Sequence, residues 1–168
     1  MTVIRSATTP TDLAAVRQLC WDYRSHMNSA SEIEERITET FYPVPKYTAL
    51  MDQLPTLHAR PRGIILLAEH ASTPAACAMT QQLDDDMAEI KRLYVTPAAR
   101  GHGIARALIL ALMDQARTDG FTRIVLDTSV NLAPARALYT ALGFRERGPY
   151  QPIPPDVLPH LLFFEAPL

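Results

Sequence analysis

The sequence predicts a mixed α/β fold, with one mostly antiparallel central sheet and helices on both faces. Three observations carry this. Strand-like runs at 64–68, 75–83 and 87–95 are separated by two turn signals, which reads as an antiparallel meander. A strand–helix–strand unit follows over 87–127, the pattern that builds a parallel pair. The 168 residues suit one domain over 1–168. A chain of that size buries about 70% of its unfolded surface.

Thr2 to Ala7 is rich in β-branched residues and reads as a strand. Thr9 then caps a helix, with Pro10 at its first position and Asp12 in its first turn. Leu13, Val16, Leu19 and Cys20 form its buried stripe. Ser31 caps a second, more polar helix to Thr40. Phe41 to Pro61 holds several prolines, so a loop with a short helix near Tyr47–Leu54 is expected.

After Pro61-Arg62-Gly63, Ile64 to Ala68 reads as a strand buried on both faces. Ser72-Thr73-Pro74 turns the chain into Ala75–Leu83, and Asp84-Asp85-Asp86 turns it again into Met87–Val95. The triple aspartate reads as a solvated hairpin tip, because no spaced acidic ligands follow it. Ala105, Leu108, Ile109, Leu112 and Ala116 mark one face of a long helix that Gly120 ends. Arg123–Asp127 is a buried-looking strand. Pro134 opens a short helix with Ala137, Leu138, Ala141 and Leu142 inward, and Gly143 stops it. Phe144–Arg147 and Leu161–Ala166 are the last two strands.

Composition narrows the function classes. Apolar residues make up 48% and charged residues 20%, ordinary for a globular protein. Sixteen Lys and Arg against eighteen Asp and Glu give a net charge of -2, without the basic excess of a nucleic-acid binder. Two cysteines, Cys20 and Cys77, are too few for a disulfide framework and fit a reducing compartment. The N-terminal residues lack a secretory pattern, and Ala107–Met113 is the longest apolar run. A cytoplasmic location without a membrane partner is therefore expected. His26, His58, His70 and His160 have no partners at helical spacing, so no metal site is assigned.

The chemistry concentrates in Arg100-Gly101-His102-Gly103-Ile104-Ala105, between a strand and a long helix. Glycines let backbone N–H groups approach an anion, and a helix start adds unpaired N–H groups and partial positive charge. Together they form a phosphate cradle, to which Arg100 adds a fixed charge. A glycine turn that only starts a helix is the plainer reading. A dinucleotide fingerprint fits poorly, because Arg106 stands where its third glycine belongs.

Arg100-x-x-Gly103-x-Ala105 resembles the pyrophosphate loop of the GNAT superfamily of N-acetyltransferases. Glu89–Val95 is similar to the strand that leads into that loop. Asn131–Phe144, with Ala135-Arg136-Ala137-Leu138-Tyr139, is similar to the family's second conserved segment. The resemblance spans about Gly63 to Phe144.

It implies a GNAT fold whose sheet splays between the strands ending near Val95 and Leu126, with acetyl-CoA in the splay and no metal. It also implies pyrophosphate contacts from Arg100, Gly101, His102, Gly103, Ile104 and Ala105. Leu93 and Val95 would lie along the pantetheine arm, and Asn131 and Arg136 would meet the cofactor from the second segment.

Transfer of an acetyl group to an amine needs a base for the amine proton and an acid for the leaving thiolate. Glu89 stands where several family members keep a catalytic glutamate; it also reads as a surface carboxylate paired with Lys91 or Arg123. Tyr139 stands where the family keeps a thiolate-protonating tyrosine; it also reads as a core aromatic. The expected function is acetyl-CoA-dependent acetylation of a small-molecule primary amine by direct attack in a ternary complex. A non-catalytic acyl-CoA-binding module is the alternative, and a homodimer stays open. Acceptor specificity is expected from the aromatics of the flanks, with Arg24 and Arg62 as candidate readers of a carboxylate.

Overall fold

The computed structural model describes residues 1–168. It opens with strand β1 (Thr2–Ser6) and helix α1 (Pro10–Ala30). The Thr9 hydroxyl accepts from the Asp12 N–H at 3.1 Å, and the Asp12 carboxylate accepts from the Thr9 N–H at 3.4 Å. Such a reciprocal cap stabilises a helix start by about 1 kcal/mol. Helix α2 (Glu32–Phe41) follows, capped by the Ser31 hydroxyl.

Helix α3 (Val44–Leu57) is longer than the short helix expected at Tyr47–Leu54. Its prolines are compatible with that length. Pro45 lies in the first turn, which needs no N–H, and Pro55 lies in the last turn. Tyr47, Met51 and Leu54 give the helix a buried face.

Strands β2 (Ile64–His70), β3 (Thr73–Gln82) and β4 (Met87–Val95) form the expected antiparallel meander. Helix α4 (Ile104–Thr118), strand β5 (Arg123–Ser129) and helix α5 (Ala133–Ala141) come next. Strands β6 (Arg145–Arg147) and β7 (Leu161–Pro167) close the fold. The sheet order is β1-β2-β3-β4-β5-β7-β6, and β4–β5 is its parallel pair.

Strand alternation sends two sets of side chains to opposite faces. Ile64, Leu66, Ala76, Ala78, Ile124 and Leu126 pack with α4 and Tyr139 in one cluster. Ile65, Leu67, Cys77 and Met79 pack with α1 and α3 in the other. Both cysteines are free and buried in this second cluster. Helix α5 differs from its sequence reading. Ala137 and Ala141 are exposed, and Tyr139 is its buried residue, because α5 sits at the rim and covers little of the sheet. No helix is long and apolar enough to cross a membrane.

Candidate active site

The parallel pair that joins the two halves of the sheet is short. Met87, Ala88 and Glu89 pair with Arg123, Ile124 and Val125, and beyond them the strands part. A bulge begins the divergence. The β3–β4 register shifts between Cys77 and Met79, and Arg92 takes a left-handed φ of 53°. An extra residue in one strand bends and twists it away from its neighbour. The resulting cleft encloses about 710 Å³. Leu138, Tyr139 and Ile104 line it from the α4–α5 face, and Tyr23, Ile37 and Tyr42 from the α1–α2 face. It therefore passes through the sheet.

The glycine loop opens onto this passage. A short 3-10 turn, Pro97–Ala99, carries β4 into Arg100. Gly101 and Gly103 have φ of 83° and 72°, a region that side-chain-bearing residues rarely adopt. A Cβ at either would meet no atom within 4 Å, so the Cβ side of each is open. Gly103 caps α4, whose first-turn N–H groups carry the helix's partial positive charge. Leu93, Val95, Arg100, Gly101, Gly103, Ile104 and Ala105 all border the cleft.

Three other predicted contacts do not border it. The His102 ring lies 4.4 Å from the His70 ring, with Nδ1 at 3.2 Å from the Ala99 carbonyl. Arg136 is exposed and donates to the Val130 carbonyl at 3.2 Å. Asn131 is exposed, and its amide donates to Glu34 Oε1 at 3.3 Å.

Tyr139 borders the cleft, packed against Phe144 and Phe164 with centroids 5.9 and 5.7 Å away. Burial, helped by the charge of Asp127, pushes its phenol up to about 12. Glu89 is only 1% exposed and does not itself border the cleft. Its Oε1 accepts from Gln81 Nε2 at 2.9 Å, and its Oε2 accepts from the Tyr150 hydroxyl at 2.8 Å. Lys91 Nζ lies 3.2 Å from the same Oε2, whereas Arg123 pairs with Asp86 and Glu165.

The family model described as the acetyltransferase (GNAT) family matches residues 27–144. The chain belongs to that family. An IAA acetyltransferase from Azospirillum brasilense is 39% identical over 111 residues, which cover 66% of this chain and 71% of that protein. An uncharacterized N-acetyltransferase from Schizosaccharomyces pombe is 30% identical over 149 residues, covering 86% of this chain and 85% of its own. A Salmonella typhimurium protein solved with its cofactor acetyl-CoA superposes with a TM-score of 0.70 at 22% identity, covering 100% of this chain and 94% of that one.

Within this GNAT cleft, several side chains escaped the sequence reading. Asp127 lines it, buried enough that its carboxyl is raised, and the Tyr150 hydroxyl lies 3.4 Å from its Oδ2. Burial pulls Lys91 down, but facing Tyr42, Asp127 and Glu89 more than offset this, so its ammonium is raised overall. The register that sets Glu89 against Val125 brings Lys91 level with Asp127 two residues on. That level was readable from Glu-x-Lys and the downstream Asp once the strands were known to be parallel neighbours. Tyr150 was expected only as one of the flank aromatics around the acceptor; its contact with Glu89 and Asp127 carried no signal, because it returns through a proline-rich loop.

Arg24 and Arg62 are both occupied. Arg24 donates to the Tyr42 carbonyl and pairs with Glu39 at 2.7 Å. Arg62 donates to the Asp119 and Asp85 carbonyls and stacks on Phe121 at 3.9 Å.

Proposed function

We propose that this chain is a single catalytic domain over 1–168 that transfers acetyl from acetyl-CoA to a primary amine of a small molecule, by direct attack in a ternary complex. The observation that carries the reading is the passage through the sheet. One mouth holds the glycine loop, the α4 start and Tyr139; the other holds carboxylates and aromatic rings. The open Cβ side of Gly101 and Gly103 fits a phosphate held by backbone.

Bound acetyl-CoA supplies an activated acetyl thioester. Arg100 to Ala105 hold its pyrophosphate, with His102 contributing its backbone. Leu93 and Val95 offer the free edge of β4 to the pantetheine arm. Asn131 and Arg136 stand at the outer rim.

Tyr139 keeps its proton at neutral pH, hydrogen-bonds the sulfur as negative charge builds there when the C–S bond breaks, and hands over the proton as water reprotonates the phenol. Asp127 meets the amine at the cleft wall. The Tyr150 hydroxyl connects it to Glu89, the base that takes the amine proton. Direct attack is favoured because the two thiols, Cys20 and Cys77, lie in the α1–α3 core and do not border the cleft. The covering of the second mouth by α1 and α2 favours a small acceptor over a protein.

The test is thiol release from acetyl-CoA across a panel of small primary amines. Amine-dependent release is expected. Tight CoA binding without release for any amine would leave a non-catalytic acyl-CoA-binding module instead.

A further inference from the structure

Arg92 is a half-buried cation on the cleft wall with no anion beside it. It sits at the bulge of β4, and its left-handed φ sends the side chain to the α1–α3 face. Its guanidinium centre lies 5.6 Å from the Tyr42 ring and 5.9 Å from the Tyr47 ring. Nη1 faces His58 Nε2 at 3.4 Å and Met79 Sδ at 3.9 Å. Nε is buried with no hydrogen-bond partner. No salt bridge in the chain involves Arg92.

A buried carboxylate or lysine can escape an unpaired state by changing its protonation. An arginine cannot, because it keeps its charge at any ordinary pH. Aromatic faces offset only part of the desolvation of such a charge. Arg92 also lines the cleft, so an anion on the ligand can reach it.

The opposite charge stands nearby. Asp127 lines the same cleft and has no salt bridge in the chain, while Lys91, level with it, is paired to Glu89. The cleft wall thus presents, on adjoining strands, a cation and a carboxylate that form no salt bridge. A ligand carrying both an ammonium and a carboxylate complements the two.

We infer that the acceptor is a small amino acid, its carboxylate held by Arg92 and its amine directed to Asp127. This deepens the acetyl-transfer reading and rests on it. Tyr23, Tyr42 and Ile37 line the space beyond, which suits an apolar or aromatic side chain.

The experiment compares L-phenylalanine and L-leucine with their carboxamides and with phenethylamine, as acceptors and as ligands of the CoA-bound protein by calorimetry. The carboxylates should show kcat/KM at least 10-fold above the carboxamides, the scale of one charge-assisted hydrogen bond. Arg92→Met should lower that carboxylate-to-carboxamide ratio at least 10-fold while CoA affinity stays the same. Arg92→Lys keeps the charge but loses the fork, so it should lower the ratio less. It also supplies the test if Arg92→Met does not fold.

Equal use of carboxylates and carboxamides by the wild type, or an unchanged ratio in both variants, would overturn the role of Arg92 and leave acetyl transfer standing. Carboxylate binding without turnover of any amine would uphold the anion site and overturn acetyl transfer. A lack of both binding and turnover of these ligands would overturn the amino-acid acceptor, and thiol release with another amine of the wider panel would then keep acetyl transfer.

Discussion

Acid is expected to destabilise this protein through His58. The ring is 2% exposed, and its Nδ1 lies 2.9 Å from the Thr80 carbonyl. A carbonyl only accepts, so Nδ1 carries the ring's proton and Nε2 turns its lone pair to Arg92. A second proton would set an N–H against a guanidinium N–H. Burial, partly opposed by the Thr80 carbonyl and reinforced by Arg92, pulls the ring from 6.5 down to about 4.

The unfolded chain takes up that proton near pH 6.5, whereas the folded chain waits until about 4. Between these values the unfolded state binds more protons, so stability is intact above 6.5 and falls as pH falls. At about 1.36 kcal/mol per pH unit, the interval amounts to about 3.4 kcal/mol. That is a large part of the roughly 5–15 kcal/mol that holds a domain folded. His58→Asn keeps an amide donor for Thr80 and removes the titration. Urea unfolding of both proteins at pH 7, 6, 5 and 4 is the assay. The variant should start about 1–2 kcal/mol less stable. The wild type should then lose about 3 kcal/mol more than the variant on the way to pH 4. Parallel acid losses would refute the neutral, buried imidazole.

Three further outcomes are expected at the cleft. Tyr139→Phe should lower turnover about 10- to 1000-fold with little change in CoA affinity; equal turnover would assign thiolate protonation to another group. Glu89→Gln should slow the reaction at neutral pH and recover partly at high pH, more so for amines of low pKa. A uniform loss at every pH, with a lowered Tm, would mark Glu89 as a structural partner of Lys91. Gly103→Asp should weaken CoA binding about 10-fold or more in calorimetry, because it strains a left-handed position and sets an anion beside a phosphate. Unchanged affinity would remove the loop from the cofactor site.

The sheet was legible in the sequence because its strands announce themselves through turns and alternation. The first hairpin turns at Ala71-Ser72, so Thr73 and Pro74 of the expected turn already belong to β3; the aspartates at 84–86 mark the second, and Pro10 and Gly120 mark helix ends. Helix α3 was less legible. Propensity counts Pro45 and Pro55 against a helix, whereas their places in the terminal turns and the burial of Tyr47, Met51 and Leu54 decide otherwise.

The glycine loop lies on contiguous residues, so its spacing offered a phosphate cradle beside a plain turn, and the family resemblance chose between them. The proposed acceptor side is assembled from β4, β5, α2 and the loop after β6, and no short window holds it. Arg92 illustrates the limit. Strict alternation from Glu89 would send residue 92 to the α4 face, and a one-residue bulge reverses it. Arg24 and Arg62 looked free in sequence because their partners, Glu39 and the Asp85 and Asp119 carbonyls, meet them only through the fold.

The cleft that pierces the sheet also bears on traffic. Residues of α4 and α5 line it on one face of the sheet and residues of α1 and α2 on the other. Under the proposed assignment, donor and acceptor would approach from opposite faces, and neither would cross the other's route. A site entered from one face alone imposes a queue: whichever molecule enters first is trapped by the second. With two faces the order of arrival would follow relative affinity rather than obstruction. Changes to the helices on one face would then alter what is acetylated without disturbing how the donor is held on the other.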